Sequence, residues 1–371
     1  MTSLTQQCSK LFVGAAIRVV TLALFLVVFG ASAALAQTRG YVTNRNDGTV
    51  SVIDTATNTV VATVPVGVGP QGIAVTPNGA FAYVANRFGN TVSVISAATN
   101  TVVATVPVVS RPSGIAITPN GAFAYVVGFG PVTVIDIATN TVVATVPSGV
   151  FEVGVAITPN GAFAYVTDDI SGIVTVIDTA TNTVSATVSI GGNLEGIAIT
   201  PNGAFAYVAN LDGNVYVIDI TTNTVVATVP IGSLGSSPVE VAITPNGAFA
   251  YVSINPNTVA VIDTATNTVT TSLSAGGAPR GIAINLAGTF AYVANNLGDN
   301  VFVVDTATNT VTATIPVGSG PQGIAFPVPT PPSGPTNKDQ CKHGGWMTFT
   351  NPTFRNQGDC VSFVNHQNHG H

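Results

Sequence analysis

Between Tyr41 and Phe326 this chain of 371 residues has no histidine, no cysteine and no tryptophan. Metal sites built on imidazole or thiolate are therefore excluded from that stretch. The Cys-x-x-Cys-His motif of covalent haem attachment is absent as well. A Ser-His-Asp arrangement would have to borrow its histidine from the C-terminal tail. Charge is scarce too, with 7% of residues charged and a formal charge of −6, or −8 once Lys10 and Arg18 of the leader are set aside. An acidic, unclustered surface argues against nucleic acid as a partner and against docking on anionic lipid. No long apolar run follows Ala36, so nothing beyond it reads as a membrane span.

What the chain has in abundance is repetition. The stretch from Gly72 to Val108 reads GIAVTPNGAFAYVANRFGNTVSVISAATNTVVATVPV, and near-copies fill the chain from Tyr41 to Phe326. A Tyr-Val pair recurs at Tyr41, Tyr83, Tyr125, Tyr165, Tyr207, Tyr251 and Tyr292, with spacings of 40 to 44 residues. A period in that range, with four short apolar runs per unit, predicts four-stranded antiparallel blades. Gly72-Ile73-Ala74-Val75 is built of small residues, as an innermost strand crowded at an axis requires. Thr76-Pro77-Asn78-Gly79 carries the residue preferences of a type I turn. Phe81 to Val84, the second strand, is apolar on both faces, as expected of a strand sandwiched between blades, and Thr91 to Ile95 is the third strand. The connection Asp-Thr-Ala-Thr-Asn-Thr (Asp54 to Thr59) is rich in side chains that bond local backbone. The fourth run, Thr101 to Val108, is the outer edge, where Pro65, Pro107, Pro147, Pro230 and Pro316 discourage edge-to-edge pairing.

The first unit lacks an inner strand and the last is followed by an unpartnered one, Gly320 to Phe326. Joining the two gives one composite blade and six continuous ones. The expected fold is therefore all-β, a closed seven-bladed β-propeller of four-stranded antiparallel blades. An open solenoid would need polar caps, and none is visible.

Tyr41-Val42-Thr43-Asn44 spells the signature of the YVTN β-propeller repeat family, which the chain resembles over roughly four-fifths of its length. That family is known from bacterial and archaeal surface-layer-like and secreted proteins. The resemblance implies an extracytoplasmic seven-bladed propeller. It transfers no catalytic residue, because the signature is structural and hosts several functions.

Residues 1–36 read as a secretory signal peptide: Lys10 and Arg18 lead an uncharged run that ends Ala34-Leu35-Ala36. An uncleaved anchor is the alternative, since the run is long enough to span a bilayer. The propeller is expected over 37–327, a stiff Pro-rich linker over 328–336, and a small module over 337–371. The last resembles short cysteine-bracketed modules at the ends of assorted secreted bacterial proteins. A Cys341–Cys360 disulfide is the state expected of it in an export compartment, contributing about 3 kcal/mol in the chain-entropy model. A mostly disordered tail with one crosslink is the plainer alternative. His366, His369 and His371 have no scaffold that would make them a metal site.

Function is sought where the repeats differ. The Thr-Pro-Asn-Gly and Asp-Thr-Ala-Thr-Asn turns are nearly invariant and share one face. The opposite face carries almost every repeat-specific charge: Arg45, Asp47, Arg87, Arg111, Glu152, Asp168, Asp169, Glu195, Asp212, Glu240, Arg280 and Asp299. At its centre, where the inner strands begin, stand Gln71, Ser113, Glu152, Val153, Glu195, Glu240, Arg280 and Gln322. Three carboxylates beside one arginine there suit a cation, a sugar or a peptide terminus. The plainer and preferred alternative is a solvated rim with a Glu240–Arg280 ion pair of little energetic consequence. No cofactor is required, and calcium on the glutamates is the one the residues admit. The expectation is a non-catalytic, monomeric, secreted or surface-held propeller binding a protein or glycan through its variable face. The alternative is a lactonase-like propeller hydrolase using Glu and Arg at the channel mouth. Such propellers are similar in architecture, but their channels commonly use histidine, so the missing histidines favour the first reading.

Overall fold

The computed structural model describes residues 39–108, 110–231 and 236–327. The leader, the linker, the Cys341–Cys360 pairing and the terminal histidines lie outside the described residues. Those described form 28 strands in seven four-stranded antiparallel sheets, as the repeat pattern predicts. Blade 2 shows the plan: an inner strand Pro70–Val75, then Phe81–Asn86 and Thr91–Ser96, and an outer strand Thr101–Pro107. The inner strands of blades 3 to 7 are Ser110–Ile117, Glu152–Ile157, Leu194–Ile199, Ser237–Ile243 and Pro279–Ile284. Blade 1 is the composite one. Its inner strand Pro321–Ala325 pairs antiparallel with Arg39–Asn44, placing Ala325 opposite Tyr41 and Ile324 opposite Val42. The C-terminal segment thus supplies the strand that the N-terminal three lack, and the ring closes.

The core lies between blades. One cluster joins Tyr83, Val92, Val94 and Val106 of blade 2 to Ile115, Ala124, Val126 and Ile135 of blade 3. Each second and third strand is buried along its length for that reason, while outer strands alternate between exposed and half-buried residues. Full burial of each such side chain contributes about 1.5–3 kcal/mol against leaving it exposed.

The invariant turns sew neighbouring blades together. In the Asp-Thr-Ala-Thr-Asn turn, Asp54 Oδ1 accepts the N–H groups of Ala56 and Thr57. Asn58 follows in the left-handed region at φ 53°, and its six counterparts lie within 52 to 55°. Asparagine tolerates that conformation because its short side chain bonds locally. Its amide oxygen has a second use here. The Tyr165 hydroxyl of blade 4 donates to Asn223 Oδ1 of blade 5 at 2.6 Å, and Tyr207 does the same to Asn267. Burial, and next the aspartate of the adjoining turn, pushes both phenols up to about 12.

Candidate binding site at the channel mouth

Each inner strand enters from the variable face through a buried residue, and six of the seven then present one side chain, a glycine and a branched aliphatic residue to the axis. In those six the glycine makes room where the blades converge. A Cβ on Gly72 would collide with the Ser113 carbonyl oxygen, and one on Gly281 with that of Gln322. Hydroxyls from the second strands hold the same carbonyl row: Thr43 Oγ1 donates to Gln71 O at 2.7 Å, Thr167 Oγ1 to Glu195 O at 2.6 Å, and Ser253 Oγ to Arg280 O at 2.5 Å. The threonine of Tyr-Val-Thr-Asn is therefore a clasp between blades.

The strands enclose a cavity of about 230 Å³. Glu195, Glu240, Arg280, Gln322 and Gln71 line it from five consecutive blades, with Ser113 and Val153 completing the circuit. Glu240 stands where the other blades have glycine. Its strand bulges between Pro238 and Glu240, so Glu240 pairs with Ser253, whereas the corresponding Gly196 falls inside the bulge of its own strand. The Glu240 carboxylate lies over Gly196 and accepts the Val241 N–H at 3.3 Å. Burial, and next Glu195 as a like charge, pushes it up to about 7.

Glu195 is pushed up to about 7 as well, chiefly by burial and then by Asp169, against the lowering pull of Arg280 and Arg87. Asp169 has a buried Oδ1, and Arg280 a buried Nε, with no hydrogen-bond partner. Arg87 leans over from its loop and donates from Nη1 to Gln71 Oε1 at 2.8 Å. The mouth therefore combines two carboxyl groups poised near neutrality with two guanidinium groups. That set can take up or release a proton, and it can hold an ionic or strongly polar ligand. Among the described residues no group of three His, Cys, Asp or Glu is arranged to hold a metal ion.

The structure separates residues that the sequence grouped together. Glu152 does not line the cavity. It pairs in register with Asp168, and the bulge that follows gives the channel position to Val153. Its carboxyl is buried, bonded by Ser148 Oγ, with Oε2 unpartnered, and burial pushes it up to about 7. Asp168 is no surface group either. It replaces the structural asparagine that ends the second strand in blades 1, 2, 5 and 7, and it is 3% exposed. Burial raises its pKa, but the N–H groups of Ser171, Val150, Ile170 and Phe151 outweigh that and hold it below the ordinary range. The expected Glu240–Arg280 pair gives way to Arg280 acting on Glu195.

Arg87 and Arg111 do lie on the variable face, and Arg45 joins them there. Residues the sequence reading did not single out accompany them. The Arg45 guanidinium sits 5.2 Å over Phe88 and that of Arg87 5.4 Å over Phe151, while Phe129 meets Phe151 edge-on at 6.1 Å. The available signal was an aromatic at a loop position that varies between repeats: Phe88 stands where others have Asn46, Ile170, Asp212 and Leu297, and Phe151 where others have glycine, alanine or a polar residue.

Comparisons with known proteins place this geometry among propellers. The family described as "Lactonase, 7-bladed beta-propeller" matches residues 154–317, from the inner strand of blade 4 to the outer strand of blade 7. No curated protein matches the chain significantly. Among solved structures, hydrazine synthase of Kuenenia stuttgartiensis is similar at 25% identity and a TM-score of 0.68, over 73% of this chain and 93% of that one. A protein of unknown function from Desulfotomaculum acetoxidans superposes at 22% identity and a TM-score of 0.70, over 79% and 99% of the two chains. The dihydro-heme d1 dehydrogenase NirN shares the fold at 14% identity and a TM-score of 0.59, over 78% and 75%.

Proposed function

We propose that this chain is a non-catalytic binding propeller, secreted or held at a cell surface, that engages a protein or glycan through the face carrying its varied loops. One observation carries the reading, the asymmetry of the two faces. On one, near-identical turns spend their polar groups on each other and on the tyrosines of the adjoining blade. On the other, Val68, Phe88, Phe129, Val150, Ile170 and Leu297 are exposed beside Arg45, Arg87 and Arg111. The remaining exposed large apolar residues among those described are valines of the outer strands. Apolar side chains on varied loops over a rigid frame suit recognition. The likeness of the repeats to the YVTN family and the leader support the extracytoplasmic setting. The names of the haem and hydrazine enzymes do not carry over, since the propeller offers no imidazole or thiolate to hold iron.

The test is the labelled mature protein on peptide and glycan arrays, beside two variant sets. Leu297→Asp and Ile170→Asp alter the variable face; Thr57→Lys and Thr266→Lys alter the other. Ligands lost with the first set alone support the reading. Ligands lost with the second set alone overturn it.

A second reading has its own support. The lactonase family match and the two carboxyl groups near 7 beside Arg280 suit a propeller hydrolase. Turnover of a lactone panel that disappears in Glu240→Gln and Arg280→Ala would establish it, and a flat response across the panel would remove it.

A further inference from the structure

We propose that the sector of the variable face built from Arg45, Arg87, Arg111, Phe88, Phe129 and Phe151 docks an acidic polypeptide segment with interspersed apolar side chains. The proposal rests on the face reading above and names the chemistry of the partner.

Positive charge is scarce on the propeller and gathered in one place. Residues 39–327 contain five arginines and no lysine, against fourteen Asp and Glu. Three of the five arginines gather over blades 1 to 3, and Arg87 feels the like charges of Arg45 and Arg111 ahead of the opposite ones of Glu195 and Asp169. Like charges are crowded here instead of being paired off, which leaves a local positive field on an acidic molecule.

Two of the guanidinium groups lie over phenyl rings. Stacking holds a guanidinium against its ring without using its N–H groups; Arg87 gives one of its own to Gln71 Oε1, and the others remain to meet a carboxylate. Arg111 is held differently, in the left-handed region at φ 52°, with its N–H bonded to Asn90 Oδ1 at 2.9 Å. The conformation belongs to the repeat, since Gly69, Ala278 and Gly320 adopt it at the same place with φ of 65°, 55° and 67°, but only here does the position carry a long charged side chain. It carries the Arg111 side chain out to solvent. Between the arginines, Phe88 is 53% and Phe129 46% exposed, an apolar surface that a ligand's side chains would cover.

These features favour a peptide over other anions. Phenyl rings carry no hydrogen-bond donor, and Arg45 and Arg87 already lie over faces of Phe88 and Phe151, which reduces the flat surface a sugar ring would stack on. A long polyanion would meet the acidic remainder of the propeller, whereas a short segment meets only the local field, since salt screens beyond about 8–10 Å. The chain's own tail does not match, since it carries Lys338, Lys342 and Arg355 against Asp339 and Asp359.

The test uses the mature full-length protein and a fluorescein-labelled peptide that alternates Glu with Phe and Leu, read by anisotropy in low and high salt. Arg45→Ala, Arg111→Gly and Phe129→Ala should each weaken binding about 5- to 20-fold without lowering the melting temperature; glycine at 111 also relieves the backbone. High salt should weaken binding about tenfold or more, and a peptide with Gln for Glu should not bind. Equal binding by the wild type and both arginine variants overturns the proposal, as does no binding to the wild type. Polygalacturonate binding more tightly through the same arginines would assign the sector to polysaccharide. Self-association lost in Arg45→Ala would assign it to a second copy's acidic turns. Array ligands lost with Leu297→Asp but kept in Arg111→Gly would overturn this sector alone and leave the wider face reading standing.

Discussion

The Tyr83 hydroxyl of blade 2 donates to Asn140 Oδ1 of blade 3 at 2.6 Å, joining the middle of one blade to the tight turn of the next. Tyr125, Tyr165, Tyr207 and Tyr251 make the same bond at 2.6 to 2.7 Å, and Tyr292 closes the series onto Asn58 at 3.2 Å. Tyr41 breaks it: its hydroxyl makes no bond to Asn100, and Arg39, which lies against that phenol, donates from Nη1 to Asn100 Oδ1 instead. The seven units thus contain their own control. Tyr83→Phe and Tyr125→Phe should each cost about 1 kcal/mol, or roughly 2 °C in melting temperature. Tyr41→Phe should cost nothing measurable. Equal losses at all three positions in calorimetry would mean that the phenol–asparagine bonds do not hold the blades together.

The same bonds set an alkaline limit. Burial, and next an aspartate of the adjoining turn, pushes Tyr83, Tyr125, Tyr165, Tyr207, Tyr251 and Tyr292 up to about 12 from 10.0. The unfolded chain therefore releases these protons first. Stability from the six phenols is full below about pH 10 and is lost as pH rises through 12. Unfolding by urea at pH 9, 10 and 11 should show a midpoint that falls steeply above 10. A midpoint unchanged to pH 11 would contradict the raised values.

Ring closure is a third point of leverage. Ala325, Ile324 and Pro321 pair with Tyr41, Val42 and Asn44, and Phe326 packs on Tyr292 with ring centroids 4.8 Å apart. Deleting Gly320 to Phe326 leaves three strands of blade 1 without an inner partner and should abolish the single cooperative melt seen by circular dichroism. Phe326→Ala keeps the pairing and should cost about 3 kcal/mol through the cavity it leaves. Should the deletion variant melt as sharply and as high as the intact chain, closure does not hold the ring.

Much of this was legible because the pattern repeats. A run such as Phe81 to Asn86 is ambiguous by itself, but seven copies at a fixed spacing leave one architecture that uses them all, and the unpaired ends state how it closes. Glu195, Glu240, Arg280, Gln71 and Gln322 were legible as channel residues because each departs from the repeat or precedes its glycine. Glu152 was misplaced for a specific reason. Side chains alternate along a strand, so a one-residue bulge reverses which of Glu152 and Val153 meets the axis. Asp168 was misread because a loop aspartate in sequence is an asparagine-like brace in space. The phenyl and guanidinium groups of the variable face come from loops of different blades, and no local pattern announces that they meet.

The most informative residue to change is Glu240, where a glutamate occupies a position that the axis otherwise reserves for glycine. Burial first, and Glu195 second, pushes it up to about 7 from 4.5, and Glu195 is likewise raised to about 7. For an acid the sign is clear. The folded protein holds these protons between pH 4.5 and 7 while the unfolded chain has released them, so stability falls as pH rises across that window. Asp136, Asp178 and Asp305 act the other way: N–H groups of their own turns hold them low, and their contribution is lost in acid. The wild type should therefore be most stable in mild acid. Glu240→Gln should match it at pH 4 and exceed it at pH 8 by roughly 1–3 kcal/mol. Glu195→Gln should behave alike, and the double variant should gain less than the two together, because each substitution already relieves the other's repulsion. A residual slope should persist in both, since burial raises Glu152 to about 7 away from the channel. Melting curves of the four proteins at pH 4 and pH 8 decide the matter, and a Glu240→Gln offset that is the same at both would show that its carboxyl is not held protonated at the axis.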